Sequence, residues 1–178
     1  MVVVITFLAI GLLLVILQTT LFMPTPVWPA APDLYYILVA YLAYRMDLLR
    51  SLVILFPLSC VLDVLSGTVL GMYPAICFGG FFLLRFMADR LPVRESLYQV
   101  PMIAVSYLVV NWLVYVVLFF LEPVVLIPWS WPLVLLRAGL IIVFSFPLFR
   151  FFERVNKRLQ GGFSPLKRLR VRTGNRFR

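Results

Sequence analysis

The chain has 178 residues, 63% of them hydrophobic and only 13% charged, and a mean hydropathy of +1.05. Soluble domains carry about a quarter charged residues, and a water-exposed surface cannot be covered with so few. The composition therefore excludes a water-soluble protein and is that of an integral membrane protein. The net charge of +9 does not indicate a nucleic-acid partner, because most of the excess lies beyond the last apolar run. There is no histidine, which removes the commonest metal ligand and the usual proton shuttle near neutral pH; neither a metal nor a cofactor is expected. Cys60 and Cys77 lie in apolar runs and are expected to be buried, unbridged hydrophobes. The N-terminus has no basic region and no clear small-residue cleavage site, so the first run reads as a retained helix.

Val2 to Phe22 opens the chain with an apolar run of about 20 residues, enough to span a bilayer. A proline-rich link follows, MPTPVWPAAP (23–32), with Trp28 suited to an interface. Leu34 to Tyr44 is short: it is either extended by Asp33 and Met46 or is a partial, tilted span. Leu48 to Leu65 contains Pro57, and Val69 to Met87 makes the fourth segment. Tyr98 to Leu121 is the fifth, and Trp131 to Phe152, preceded by EPVVLIPWSWP (122–132), the sixth. Tyr98, Trp129 and Trp131 fit an aromatic belt. Runs such as YLVVNWLVYVVLFFL (107–121) lack the two-residue alternation of a barrel strand. The expected fold is an all-α membrane domain over residues 1–160 with a basic, flexible cytoplasmic tail over 161–178.

Charge gives the orientation. Arg45, Arg50, Arg85, Arg90 and Arg94 follow the second and fourth segments, and the remaining basic residues run from Arg150 to the C-terminus. The connections after the first, third and fifth segments hold no lysine or arginine, and Asp33, Asp63 and Glu122 lie at or near them. Every basic residue but Arg137 thus falls on one side. The positive-inside rule gives six transmembrane helices with both termini cytoplasmic. The basic tail has the composition to bind anionic lipid; the plainer alternative is that it only enforces topology.

No Walker loop, GxSxG elbow, HExxH or CxxC pair is present, and the carboxylates are scattered. The chain is not expected to be an enzyme. Pro32 and Asp33 precede an apolar run, where they favour a helix N-terminus. Asp63 has no basic residue within ten positions on either side. It shares a helical face with Ser66, and Gly67 and Gly71 follow at a spacing that permits a tight turn or close helix approach. Asp63 is expected to fix the turn between the third and fourth helices by bonding the amides after it, or else only to cap the fourth. Gly79 and Gly80 are further candidates for close packing. Arg137, about two turns into the last helix, pairs with a carboxylate, Asp63 being the candidate, or snorkels alone to the outer interface.

QTTLF (18–22), PDLYYILVAYLAYR (32–45) and LDVLSGTVLGMY (62–73) together resemble the MreD family, the rod-shape-determining membrane proteins of bacteria. The specific part is the LD-x-LSG-x-x-LG-x-Y string, which includes Tyr73; the second half of the chain agrees only in hydropathy and helix number. Pro57 and Ser59 stand where the family often has glycines. The resemblance implies a fold similar to the substrate-binding subunits of energy-coupling-factor transporters. It also implies a non-enzymatic scaffold of the elongasome, in the bacterial inner membrane. Its partners would be MreC, the RodA and class B penicillin-binding-protein pair, and the MreB filament, and its role the control of peptidoglycan synthesis and rod shape. The alternatives are a small-molecule or lipid-binding transporter subunit and a lipid scaffold without a pocket.

The topology is checked with a reporter active only in the cytoplasm. Fused after Arg178 it should work, and fused near Thr25 or Pro128 it should fail. An external C-terminus would overturn the orientation.

Overall fold

A computed structural model describes residues 2–22, 33–66, 71–90, 96–121 and 130–161, and these form six helices and no strand. The helices are α1 (Val2–Phe22), α2 (Leu34–Arg45), α3 (Leu48–Ser66), α4 (Met72–Arg90), α5 (Ser96–Leu121) and α6 (Trp131–Gly161). Four of them, α1, α3, α5 and α6, are long and apolar enough to cross a membrane.

The surface is as apolar as the core. Leu49, Phe56, Val64 and Phe120 are each more than 60% exposed, while Ser51, Ser59, Ser106 and Ser145 are fully buried. In water, each exposed side chain would forgo about 1.5–3 kcal/mol of burial; against lipid it loses nothing. These buried serine hydroxyls are satisfied inside the bundle. Ser51 Oγ donates to Leu42 O at 3.2 Å, Ser59 Oγ to Phe56 O at 2.9 Å and Ser145 Oγ to Ile141 O at 2.6 Å. This distribution is what lipid as solvent requires.

α2 is the hub. Its sequence, LYYILVAYLAYR, has no polar face, and every residue from Leu34 to Ala43 is buried. A helix that is apolar all round has to be covered all round, and α2 packs against all five other helices. Aromatic rings make many of these contacts. Tyr41 stacks on Phe7 of α1 with centroids 5.5 Å apart and meets Phe149 and Phe152 of α6 at 5.6 and 5.2 Å. Tyr36 sets an edge against Tyr107 of α5 at 5.1 Å, and Tyr35 against Tyr73 of α4 at 5.7 Å. Tyr36 Oη and Ser106 Oγ share a hydrogen bond of 2.7 Å, which satisfies both buried hydroxyls. With 12 residues, α2 is about 18 Å long, well short of a hydrocarbon core of about 30 Å. The short segment is therefore not extended into a full span; it stops at Arg45, where Met46 turns to an extended conformation.

The basic helix ends gather together. Arg85 Nη1 of α4 donates to Met46 O, just past α2, at 2.8 Å. Phe7, near the start of α1, lies 6.2 Å from Phe152, in the last third of α6. The start of α1, the end of α2, the end of α4 and the C-terminal part of α6 thus share one end of the bundle, here the basic end, where α3 also begins.

Several boundaries differ from expectation, α4 running on to Arg90 and α5 starting at Ser96 among them. Gly71 has φ +92° and precedes α4, which starts at Met72; Val69 and Leu70 lie outside the described residues. α6 continues past Phe152 to Gly161, because RFFERVNKRLQ is helix-forming and carries a Glu153–Lys157 pair at 3.1 Å. The basic stretch 162–178 lies outside the described residues. Cys77 is buried as expected, but Cys60 is exposed: it falls on the outward stripe of α3 with Val53, Phe56 and Val64, at helical spacing.

Close approach falls on Gly80. A Cβ there would lie 2.7 Å from the Tyr36 ring, and one at Gly11, which the sequence did not single out, 2.9 Å from Leu38. Gly79 faces outward, with Val110 at an ordinary 3.5 Å. Gly80→Ala should therefore lower thermal stability in detergent by an overpacking cost of about 1–3 kcal/mol, and Gly79→Ala should leave it unchanged. Equal melting of the two variants would refute this packing.

Candidate functional site

Two carboxylates lie at the end of the bundle opposite the basic one, and each is tied by a different kind of partner. Asp63 is in the last turn of α3. Its Oδ2 accepts the amide of Gly71 at 2.6 Å and its Oδ1 the amide of Tyr73 at 3.3 Å. Those amides open α4 and have no partner within their own helix. An anion at a helix N-terminus is also favoured by the helix dipole. Fixing the turn and capping the next helix, the two roles weighed for Asp63, are thus one set of bonds. Ser66 Oγ donates to Asp63 O at 3.1 Å, and the Ser66 side chain is also hydrogen-bonded to Tyr73. Gly71 supplies the left-handed turn that aims its amide back at α3. Gly67 lies outside the described residues.

Asp33 occupies the N-cap position of α2, but its side chain makes no capping bond. Its backbone oxygen accepts from Tyr36 N at 3.0 Å. Its carboxylate turns into the bundle. Oδ1 accepts from Gln18 Nε2 of α1 at 3.2 Å, and Oδ2 accepts from Tyr107 Oη of α5. The capping role expected of this residue is given up, because a buried carboxylate gains more from donors that satisfy both oxygens.

Arg137 of α6 completes the cluster. Its guanidinium is hydrogen-bonded to Tyr107, and Asp33 and Tyr73 lie near enough to interact with its charge. Tyr107 stands between the two charges, accepting from Arg137 and donating to Asp33. Neither arrangement weighed from the sequence is the one found. Arg137 does not snorkel alone, and the carboxylate it acts on is Asp33, not Asp63, whose oxygens hold the α4 amides. The cluster joins α1, α2, α5 and α6, with Tyr35, Tyr73 and Cys77 around it. Among the described residues, Gln18 Oε1 and Tyr44 Oη are buried with no hydrogen-bond partner.

Of the residues singled out in the sequence, Asp63, Ser66, Gly71 and Tyr73 form one unit, and Asp33 and Arg137 another. Gly79 and Gly80 lie on α4 away from both, and Gly80 serves Tyr36. Gln18 and Tyr107 were missed. The only signal for Gln18 is that it is the sole amide side chain in the first segment; Tyr107 reads as one aromatic among many. No group of histidine, cysteine, aspartate and glutamate capable of holding a metal occurs among the described residues. The cluster brings together a guanidinium, a carboxylate, a phenol and an amide, with no net charge.

Comparison with known proteins found no matching family model, no matching curated protein and no matching solved structure.

Asp63→Ala should destabilise the protein in detergent by about 1.5–3 kcal/mol, the worth of hydrogen bonds to a charged group. Asp63→Asn, which keeps one acceptor oxygen, should recover part of that loss. Thermal unfolding checks both; an alanine variant as stable as the native chain would show that the turn does not depend on Asp63.

Proposed function

We propose that the chain is a six-span, non-enzymatic scaffold of the bacterial inner membrane with both termini cytoplasmic, and that it serves the elongasome by binding MreC, as its resemblance to the MreD family implies. The observation that carries this reading is the closure of LDVLSGTVLGMY on itself. Asp63, Ser66, Gly71 and Tyr73, the polar and glycine positions of that string among the described residues, take part in one inter-helix turn. The string therefore reads as a determinant of architecture, which suits a scaffold better than a catalyst.

Charge supports the orientation. Arg45, Arg50, Arg85, Arg90, Arg150 and Arg154 lie toward the basic end, and a cytoplasmic excess of basic residues is the rule. α2 is sheathed by protein, so it needs no match to the bilayer thickness. α4, with 19 residues, is about 28 Å long, enough for a span flanked by protein on several sides. The lipid-facing stripes of α1 and α3, among them Ile5, Leu13, Val53 and Phe56, would accept the transmembrane helix of MreC by apolar packing. RodA and a class B penicillin-binding protein would be reached laterally. MreB and anionic lipid would be reached from the basic end, where Arg150, Arg154, Lys157 and Arg158 lead into the basic stretch 162–178.

A second reading, a lipid or small-molecule-binding subunit with the fold of energy-coupling-factor substrate-binding subunits, is favoured by the Asp33–Tyr107–Arg137 cluster. Charges at membrane depth are costly and usually functional.

Co-purification from detergent separates the two. The scaffold reading expects tagged chain to retain MreC through washing, with Phe56→Ala and Val53→Ala together reducing the yield. No retention of MreC, with a stoichiometric small molecule found by mass spectrometry, would replace it with the second reading.

A further inference from the structure

We propose that the outward face of α6 beyond Pro147 is a headgroup site for anionic phospholipid, with Arg150 and Arg154 binding the phosphates. This deepens the anionic-lipid contact proposed above for the basic end, by placing it on the helix itself and not on the stretch 162–178. It rests on the chain lying in a membrane, and not on its binding MreC.

The first observation is the continuity of one helix face. Phe152 packs on Tyr41 and Phe7, Asn156 is hydrogen-bonded to Tyr41, and Ile141 and Ser145 are buried. These mark the side of α6 turned to the bundle. On the opposite side, at helical spacing, Val143 and Phe146 are exposed, followed by Arg150, Arg154, Lys157 and Arg158. The face changes from apolar to basic within about one turn, without rotating about the helix. Its apolar part is covered by acyl chains. Half of a hydrocarbon core of about 30 Å corresponds to about ten residues of helix. A lipid whose chains cover Phe146 and Val143 therefore has its headgroup at Arg150 and Arg154.

The second observation is that the other arginines at this end have partners. On α4, Phe82, Phe86 and Arg90 are exposed at four-residue spacing, and the Arg90 guanidinium lies over the Phe86 ring at 5.4 Å. Arg50 pairs with Asp47 at 3.5 Å, and Arg85 donates to Met46 O. On the last turns of α6 the one acid, Glu153, pairs with Lys157 at 3.1 Å and lies near enough to Arg45 to interact with its charge. Arg150, Arg154 and Arg158 form no ion pair among the described residues.

The chemistry of the row fits a phosphate. Residues four apart on a helix have Cβ atoms about 5–6 Å apart, so Arg150 and Arg154 reach one phosphate or two neighbouring ones. Each guanidinium presents a fork that matches phosphate oxygens. The two fit within a headgroup layer of about 5–8 Å per leaflet. Lys157 and Arg158 stand about 5 Å further out, inside the screening length of about 10 Å at about 0.1 M salt. A zwitterionic headgroup would bring its own cation to an uncompensated row, whereas a net anionic one neutralises it. An acidic protein segment also matches the charge, but lipid already covers the same face one turn away.

The test uses the full chain in mixed micelles holding equal amounts of phosphatidylglycerol and phosphatidylcholine with identical acyl chains. Retained lipid is counted by mass spectrometry. Phosphatidylglycerol should be retained at least about fivefold over phosphatidylcholine, the factor that one basic residue near a membrane surface confers. Raising salt from about 0.01 M to about 1 M shortens the screening length from about 30 Å to about 3 Å and should collapse that preference. Arg150→Gln, Arg154→Gln and Arg158→Gln combined should abolish it. Lys167→Gln, Arg168→Gln and Arg170→Gln combined, an equal loss of charge beyond α6, should leave most of it. Glu153→Gln, which frees Lys157, should raise it, a gain that poor folding does not imitate. Equal retention of the two lipids by the native chain overturns the proposal. So does a preference that the second triple variant loses as fully as the first, or that Glu153→Gln leaves unmoved. An acidic protein retained through Arg150 and Arg154, with no lipid preference, would assign the row to a protein partner instead. Lipid retention in micelles is indifferent to MreC and to the side the termini face, so its failure is distinct from failure of the scaffold reading.

Discussion

Arg85 and Arg137 hold the two ends of α2. Arg85 donates to the backbone oxygen of Met46 at one end, and Arg137 acts through Tyr107 on Asp33 at the other. Between those ends α2 is apolar on all sides and enclosed by its neighbours. Apolar packing alone fixes the depth of such a helix weakly, since one turn of leucine and valine resembles the next and lipid supplies no hydrophobic drive between helices. Directional bonds from charged groups do fix it. A slip of α2 by one turn would strand a carboxylate and a carbonyl in a low-dielectric interior, where unmade hydrogen bonds are costly. The positions of Tyr35, Tyr36 and Tyr41 against α4, α5 and α6 follow from that anchoring.

The two carboxylates at the end of the bundle opposite the basic one divide the labour. Asp63 is satisfied by backbone amides only a few residues further along the chain, so it stiffens the joint between α3 and α4. Asp33 is satisfied by side chains from α1 and α5 and faces a charge from α6, so it ties together elements distant in sequence. Backbone amides are fixed partners, whereas a guanidinium, a phenol and a carboxamide can change partners by rotating. The Asp63 joint is therefore local and the Asp33 cluster long-range, at the same end of the same bundle.

Much of the fold was legible in hydropathy. The starts of α1, α2, α3 and α6 coincide with changes in the apolar pattern, whereas α4, placed from Val69, starts only at Met72, after the turn at Gly71. Asp63 was legible too, because its partners lie eight and ten residues away and turn chemistry is local. Asp33 was not: its donors lie 15 and 74 residues away, and nothing in a single sequence brings α1, α5 and α6 together around it. Local reasoning gave it a cap, the commonest use of an aspartate before a helix, and left Arg137 with the wrong carboxylate. That Gly80, and not Gly79, makes the close approach was not legible for a related reason. Neighbouring residues on a helix point about 100° apart, and the rotation of α4 is set by the Tyr36 ring, which its own sequence does not reveal. Cys60 was misplaced because an apolar helix in lipid has no polar face to mark its outside.

The claim on which all of this turns is that Asp33, and not Asp63, is the counter-charge of Arg137. An exchange of charges tests it directly. Asp33→Arg and Arg137→Asp should each destabilise the detergent-solubilised protein by about 3–5 kcal/mol, the cost of leaving a buried charge without its partner. Combined, they should restore a large part of the thermal stability, whereas Asp63→Arg combined with Arg137→Asp should restore none. A Asp33/Arg137 exchange no more stable than its single variants, or recovery in the Asp63/Arg137 exchange, would contradict the account.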